Sequence, residues 1–308
     1  MLDIIGRRFR FFIISGVTLL IGIIALVTFG LQTGIEFSSG SMMRVGFEQP
    51  VDQNVLKQAL ADLGYASAIV QNTGEGDFLI RTGELTSGKK VAIQDTLAVK
   101  FGSLSEAEFY AVSPMVATET ARNAAIAVAV AALGILLYVT WAFRRMPEPF
   151  RYGTCAIVAL VHDALVALGV FSVLGALLHW EINLMFITGI LAVIGYSVNN
   201  TVVVFDRIRE NLLIGVSPDF EVVVNNSLIE TLGRSLNTSL TTLIVVMALF
   251  LFVGTSIQNF AVVLLVGILA GTFSSIAIAP SLLVVWERGE WGRFIRWLPL
   301  SVVKAKSG

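Results

Sequence analysis

The sequence predicts a polytopic α-helical membrane protein with six transmembrane helices and one external α+β domain of the ferredoxin-like, βαββαβ type. Three observations predict this class: an apolar composition, six apolar runs long enough to span a bilayer, and one long hydrophilic insertion. Of the 308 residues, 56% are hydrophobic and 14% are charged, whereas soluble domains carry about 25% charged residues. The mean hydropathy of +0.81 agrees with a chain that lies mostly in a membrane.

The charge balance and the reactive residues argue against several functions. The net charge of −1 gives no indication of nucleic-acid binding. The single cysteine, Cys155, lies in an apolar run and cannot form a disulfide within the chain. Because the chain has two histidines, no HExxH or cysteine cluster and no nucleophile elbow, we expect neither an enzyme nor a metal or cofactor site. It also lacks a Walker A motif, so any energy must come from ions or from a partner.

The six predicted spans follow from the length of the apolar runs, since about 20 apolar residues cross the hydrocarbon core. The runs lie near 11–30, 123–143, 154–178, 183–205, 236–253 and 259–286. Arginines precede the first span and follow the second and fourth, whereas the opposite short connections contain no Lys or Arg. Both termini are therefore predicted to be cytoplasmic. The first run is too long for a signal peptide and is expected to be a retained span.

The hydrophilic insertion at 31–120 alternates between strand and helix patterns. Strands are predicted at 41–49, 66–72, 77–83 and 107–113, and amphipathic helices at 52–63 and 87–101. The first helix has Val55, Leu56, Ala59, Leu60 and Leu63 on its apolar face, and the second has Val91, Leu97 and Phe101. Asp52 is the expected N-cap of the first helix. The βαββαβ order predicts a ferredoxin-like fold, which alone indicates no function.

The remaining segments complete the predicted domain organisation. An N-terminal segment and the first span occupy 1–30, spans two to six occupy 121–286, and a basic tail occupies 287–308. Near 217–231, apolar residues at helical spacing favour an amphipathic helix at the cytoplasmic interface over a simple connector. The tail combines basic residues with tryptophans, which favours contact with the lipid surface over nucleic-acid binding, while contact with a cytoplasmic partner stays open.

The third span contains His162 and Asp163, about ten residues beyond Arg151 and therefore about 15 Å into a helix. Ionisable residues at this depth need partners and mark functional sites by default. One interpretation makes Asp163 a proton-titrating group. The other makes it a buried polar contact with a neighbouring helix.

Polar stripes run along the fourth and fifth spans. Ser197, Asn200 and Thr201 share one face of the fourth span, with Asn199 beside them. In the fifth span the polar positions at helical spacing are Arg234, Asn237, Thr238 and Thr241. Such residues act as hydrogen-bonding contacts between helices, or they line a hydrated path. The arginine favours the second interpretation.

Four segments carry a resemblance to a known family that extends over almost the whole chain. They are VHDALVALG at 161–169, GYSVNNTVVVFDRIREN at 195–211, TLGRSLNTSLTT at 231–242 and GIEFSSGSMM at 34–43. Together with the six spans, they are similar to the SecF branch of the SecD/SecF family, within the resistance-nodulation-division (RND) superfamily. Ser39 stands where that family usually has a second glycine.

The resemblance implies an accessory protein translocase in the cytoplasmic (inner) membrane of a prokaryote. Its expected partners are SecD, the SecYEG channel, YajC, the unfolded preprotein in transit and membrane lipid. Six spans with one external domain form half of an RND-type bundle, and SecD supplies the other half. The implied coupling ion is the proton, so the family uses the proton-motive force to promote polypeptide export.

One departure from the family pattern affects the proton site. Family members usually have Asn-Asp-Thr where this chain has Asn199, Asn200 and Thr201, and the resemblance ties that aspartate to proton transport together with the arginine matching Arg234. An amide keeps the shape of the carboxylate and can accept a hydrogen bond from Arg234, but it cannot titrate. The chain is thus a transport-defective variant, or it moves protons by another route, with Asp163 the first candidate. Two further alternatives are a non-conducting assembly subunit and half of an RND-type small-molecule exporter.

Overall fold

Six long apolar helices confirm the predicted helical membrane class. A computed structural model describes residues 2–72, 76–253 and 257–292. Within these ranges, the helices long enough to span a membrane are α1 Arg8–Phe29 with a preceding 3-10 turn Ile5–Arg7, α5 Pro114–Ala142, α6 Pro149–Leu178, α7 Leu184–Ile214, α8 Phe220–Phe252, and a sixth made of α9 Gln258–Phe273, a π-helical turn Ser274–Ile278 and α10 Ala279–Arg288. Most of the predicted basic tail lies outside the described residues.

The insertion between the first and second spans folds as the predicted ferredoxin-like domain. Its elements are α2 Ile35–Ser38, β1 Gly40–Phe47, α3 Gln53–Asp62, β2 Ile69–Asn72, β3 Asp77–Thr82, α4 Ser87–Phe101 and β4 Leu104–Val112. The strands form one antiparallel sheet in the order β2-β3-β1-β4. Asp52 caps α3 as expected, because its side chain accepts from the amides of Asn54 and Val55.

The two helices of this domain bury faces that differ slightly from the predicted ones. Leu56 and Leu60 of α3 are fully buried, but Val55 is 48% exposed. In α4 the buried residues are Ile93 and Leu97, whereas Val91 is 52% exposed. Each successive residue turns about 100° around a helix, so Ile93 and Leu97 share a face that excludes Val91. The grouping of Val55 and Val91 with the buried residues on one apolar face was therefore wrong.

The amphipathic helix expected near 217–231 is not a separate element. Residues from 220 onward form the first turns of α8, which continues without a break to Phe252. No proline interrupts this stretch, and a single glycine such as Gly233 costs only about 1 kcal/mol in a helix. Val223, Val224 and Leu228 are fully buried by other parts of the chain. This apolar face therefore packs on protein rather than on the lipid surface.

The sixth span changes its helical geometry in the middle. The π-helical turn Ser274–Ile278 separates α9 from α10, and Pro280 follows two residues later. A proline inside a helix removes a hydrogen-bond donor and crowds the preceding turn, which favours such a local widening. π-Turns occur frequently at functional sites.

The chain divides into two compact units. The membrane unit contains Met1–Leu31, Val128–Trp180 and the residues from Met185 onward. The ferredoxin-like unit contains Gln32–Ala127 and, in addition, Glu181–Leu184 from the connection between α6 and α7. The sequence pattern, which set the insertion at 31–120, did not indicate that this short connection belongs with the sheet.

Candidate functional site

A buried carboxylate lies at the centre of the membrane unit. Asp163 of α6 is 1% exposed, and its Oδ2 accepts from Ser197 Oγ at 2.6 Å and from Ser274 Oγ at 2.8 Å. His162 Nδ1 lies 2.9 Å from Asp163 Oδ1. In the described parts of the chain no Lys or Arg pairs with this carboxylate. Its hydrogen bonds come from hydroxyls and one imidazole. We refer to Asp163, His162, Ser197 and Ser274 as the aspartate cluster.

The aspartate cluster joins three spans, because its residues come from α6, α7 and the π-helical turn. A glycine makes their close approach possible: a Cβ on Gly271 would lie 2.9 Å from Ser197 Cβ and 3.4 Å from Asp163 Oδ2. A Cβ on Gly267, one helical turn earlier, would lie 2.2 Å from a methyl carbon of Val193. Small residues let membrane helices pack backbone to backbone. They set Ser197 and Ser274 within hydrogen-bond reach of one carboxylate oxygen.

Asn200 is also buried, but its polar neighbours are hydroxyls. It is 3% exposed, and its Nδ2 lies 3.5 Å from Ser239 Oγ, at the limit for a hydrogen bond. Ser239 Oγ also lies within hydrogen-bond distance of Thr272 Oγ1, at 2.7 Å, and of Tyr196 OH, at 3.2 Å. Thr201 shares the buried face and donates to the Ser197 carbonyl. The fourth, fifth and sixth spans thus meet at Ser239.

The structure does not bring Arg234 to Asn200. Arg234 and Asn237 are exposed on the surface of α8, and no described residue pairs with the Arg234 guanidinium. Thr238 is half-buried and Thr241 is exposed, and both donate to carbonyls of their own helix. These four residues form a surface that we call the outward stripe. Asn199 is likewise exposed, on the side of α7 opposite the buried face.

A different set of fifth-span residues faces the fourth span. Its members are small hydroxyl residues at intervals of four, namely Ser227, Thr231, Ser235 and Ser239. Helical spacing counted from Arg234 does not include this face, because Ser235 is turned about 100° from Arg234 around the helix. The repeat of Ser or Thr at every fourth position was the sequence signal that could have identified it.

Two of the buried polar atoms that have no hydrogen-bond partner among the described residues lie close to these contacts. They are His162 Nε2, beside the carboxylate, and Ser235 Oγ, one helical turn from Ser239. Buried polar groups are normally paired with protein or with an ordered water. The cluster can therefore hold a proton or a water molecule. It has no metal-like donor set, since the described residues contain no group of three His, Cys, Asp or Glu side chains.

Comparison with known proteins indicates what this chain is similar to. Residues 92–289 match the family model "Protein export membrane protein SecD/SecF, C-terminal", and residues 24–51 match "SecD/SecF GG Motif". "Protein translocase subunit SecF" of Thermobaculum terrenum is 42% identical, over 96% of this chain and 97% of that protein.

Longer relatives show a second arrangement. "Protein translocase subunit SecDF" of Bacillus subtilis is 35% identical over 94% of this chain but only 38% of its own length. The crystal structure of SecDF from Thermus thermophilus, described as a translocon-associated membrane protein, superposes with a TM-score of 0.82 at 30% identity. That match covers 93% of this chain and 39% of the solved one. Both longer proteins contain a region like this chain joined to further sequence.

Proposed function

Since this chain belongs to the SecD/SecF protein translocase family, we propose that it acts as the SecF half of a SecD–SecF pair that promotes polypeptide export through the SecYEG channel. Its six candidate spans correspond to one half of an RND-type bundle. The fused SecDF relatives, of which this chain covers 38% and 39%, support a SecD-like protein as the other half.

The observation that carries this proposal is the outward stripe. Arg234 lies 14 residues after the start of α8, or about 21 Å along the helix. The predicted fifth span begins at residue 236, so Arg234 lies at its edge, where a charged side chain reaches the polar interface or pairs with another polar group. No described residue pairs with it, which supports a partner helix that covers this surface. A polar or acidic group on a SecD-like partner would supply that pairing.

We further propose that the proton-motive force drives the pair and that Asp163 carries the proton within this chain. Asn200 cannot titrate, whereas Asp163 is a buried carboxyl held by two rotatable hydroxyls, Ser197 and Ser274. An ionised Asp163 accepts from both serines, and a protonated one donates to one of them. Since Ser274 begins the π-helical turn, this exchange supplies a two-state element in the sixth span.

The remaining expectations of the family follow as part of the same proposal. The chain lies in the inner membrane with both termini in the cytoplasm, handles unfolded preprotein together with SecYEG and YajC, and contacts lipid. It catalyses no covalent reaction and needs no cofactor beyond the proton.

Copurification tests the pairing. The full chain is coexpressed with a SecD-like protein of the same source, and Arg234→Leu is compared with the conservative Arg234→Lys. We expect a stable complex for the unmodified chain, partial retention with Lys and loss with Leu. A complex that forms equally well with Leu would contradict the role of the outward stripe.

Proton flux in reconstituted vesicles tests the coupling. We expect Asp163→Asn to abolish the proton dependence of export and Asn200→Asp to raise proton flux, because the latter adds a second titrating group beside Ser239. Full retention of export by Asp163→Asn would make Asp163 a structural contact only.

A second candidate function, a non-conducting assembly subunit, is favoured by the Asn200–Ser239 contact, in which an uncharged amide occupies the position usually held by an acid. Such a subunit would support complex formation without any proton flux, so the flux measurement distinguishes the two. A small-molecule exporter half is disfavoured, because the relatives described above are named protein translocase subunits.

A further inference from the structure

The short connection between α6 and α7 is part of the ferredoxin-like unit. Glu181–Leu184 group with Gln32–Ala127, although Leu184 is already the first residue of α7. The same helix continues to Ser197 and Asn200, so the span that carries the buried polar face begins within the sheet-containing unit. We call residues 181–183 the outer loop.

Backbone hydrogen bonds seat the outer loop on the segment that precedes β1. The Ile182 amide donates to the Gln32 carbonyl at 2.7 Å, and the Gly34 amide donates to the Ile182 carbonyl at 2.8 Å. A Cβ on Gly34 would lie 2.5 Å from Glu36 Oε2 and 3.3 Å from the Ile182 carbonyl oxygen. Glu36 Oε2 ends a flexible side chain and can move aside, so an alanine here would crowd the contact with Ile182 by a few tenths of an ångström.

An ion pair adds a second, independent link between the outer loop and the sheet. Arg81 of β3 pairs with Glu181, and their side chains are 14% and 4% exposed. Burial lowers the pKa of Arg81 from its ordinary value to about 10, and the negative charge of Glu36 opposes that change. Removing two charges from water costs much of what their attraction gains, so such a pair contributes little to stability. A better-supported role is to select one arrangement of the loop.

The ion pair reaches an inner strand of the sheet. Arg81 lies opposite Met42 of β1 and Ile69 of β2, so β3 is hydrogen bonded on both sides. Displacement of Glu181 therefore acts on a strand that is bonded to two neighbours. Asn200 lies 16 residues from Leu184 on one unbroken helix, a distance of about 24 Å along its axis.

We propose that the outer loop couples the fourth span to the sheet of the ferredoxin-like domain, with Glu181 and Arg81 as the positioning residues that hold it there. Axial displacement of α7 moves Glu181, and the ion pair together with the Gly34–Ile182 link carries that movement to β3. The role of this movement in export rests on the proposed function, whereas the coupling itself does not.

The test compares two variants that break different links with one matched control. Glu181→Gln removes the charge of the ion pair, and Gly34→Ala disturbs the backbone link. The control, Asp77→Asn, breaks the Arg44–Asp77 pair, which joins β1 to β3 at 2.9 Å and lies at the end of β3 away from Arg81. Each is purified as the full chain in complex with its SecD-like partner and assayed for proton-driven export in vesicles and for hydrogen exchange in the outer loop and β3.

Both link-breaking variants are expected to lose export stimulation while proton flux persists, and the Ile182 amide is expected to exchange faster. The control is expected to match the unmodified chain. Full export by Glu181→Gln and Gly34→Ala would overturn the coupling, and so would an equal loss in Asp77→Asn.

Failure of the proposed function gives a different result, in which the unmodified complex shows no export stimulation. Hydrogen exchange then decides the coupling without any transport assay. The coupling is supported if the Ile182 amide and the β3 amides are both protected from hydrogen exchange and lose that protection together in Glu181→Gln. Independent exchange of Ile182 overturns it.

Discussion

The aspartate cluster and the outward stripe are both polar, both lie on candidate membrane spans, and differ in how their hydrogen-bonding groups are satisfied. Asp163 is almost fully buried and accepts from two serines of neighbouring spans. Arg234 is exposed, and no described residue pairs with it. The first set is completed by this chain, and under the proposed function the second is completed by a partner. Under that proposal, the polar residues of the spans separate into those that build the subunit and those that join it to its partner.

Among the substitutions that test this comparison, the largest effect is expected for one in the outward stripe. Arg234→Leu should weaken the complex with a SecD-like partner by about 4 kcal/mol, or on the order of a thousandfold in Kd, because it leaves the partner's polar group buried and unpaired. Binding in detergent or nanodiscs measures this. The melting temperature of the isolated chain should not change, because Arg234 has no described partner within the chain. A drop in that melting temperature would contradict the division between the two sets.

The aspartate cluster should show the opposite behaviour. Asp163→Ala leaves the hydroxyls of Ser197 and Ser274 without their acceptor and should destabilise the isolated chain by about 3 kcal/mol. Asp163→Asn keeps the shape and an acceptor oxygen, so its cost should be smaller, about 1 kcal/mol. Unfolding of the solubilised chain provides the measurement. Equal stability of the Ala variant and the unmodified chain would show that the cluster does not hold the spans together.

A third substitution examines the meeting point of the fourth, fifth and sixth spans. Ser239→Ala removes the hydroxyl that lies within hydrogen-bond distance of Thr272 and Tyr196 and should cost about 1 to 2 kcal/mol in the isolated chain. Ser235→Ala is the matched control, because its hydroxyl is buried without a described partner and its loss should cost much less. Equal effects of the two would indicate that a water or another group binds Ser235.

The weakest effect is expected for a polar contact that is both exposed and paired. Arg288 and the Glu221 amide hold the pKa of Asp219 below its ordinary value of 3.8. A lowered carboxyl pKa gives a stabilisation that is complete above the unfolded-state pKa and is lost only as the pH falls through the folded-state pKa. That stabilisation is present at neutral pH but small, because both side chains are exposed. Asp219→Asn should therefore lower the melting temperature only slightly at neutral pH and should remove the further loss of stability seen in strong acid. A large change at neutral pH would show that surface charge, rather than burial, controls this end of the bundle.

The ferredoxin-like domain was largely predictable because its elements are short and carry local signals. Pro50 and Asp52 mark the start of α3, and alternating residues mark the strands. The same local method placed Val55 and Val91 on the apolar faces of α3 and α4, and both are exposed. Whether a position at the edge of an apolar face is buried depends on the angle at which the helix packs. That angle is set by the tertiary structure.

Composition, local periodicity and contiguous motifs were enough to specify the number of spans, the βαββαβ order, the family and the identity of the polar residues. Which of those polar residues meet was settled by three-dimensional packing. It joined Asp163 to Ser197 and Ser274, set Asn200 against Ser239 instead of Arg234, and placed Glu181 with the ferredoxin-like unit. Helical spacing specifies which residues share a face, but it does not specify the direction in which that face points. That direction depends on glycines such as Gly271, which allow one helix to approach another, and on a π-helical turn that brings Ser274 to the carboxylate.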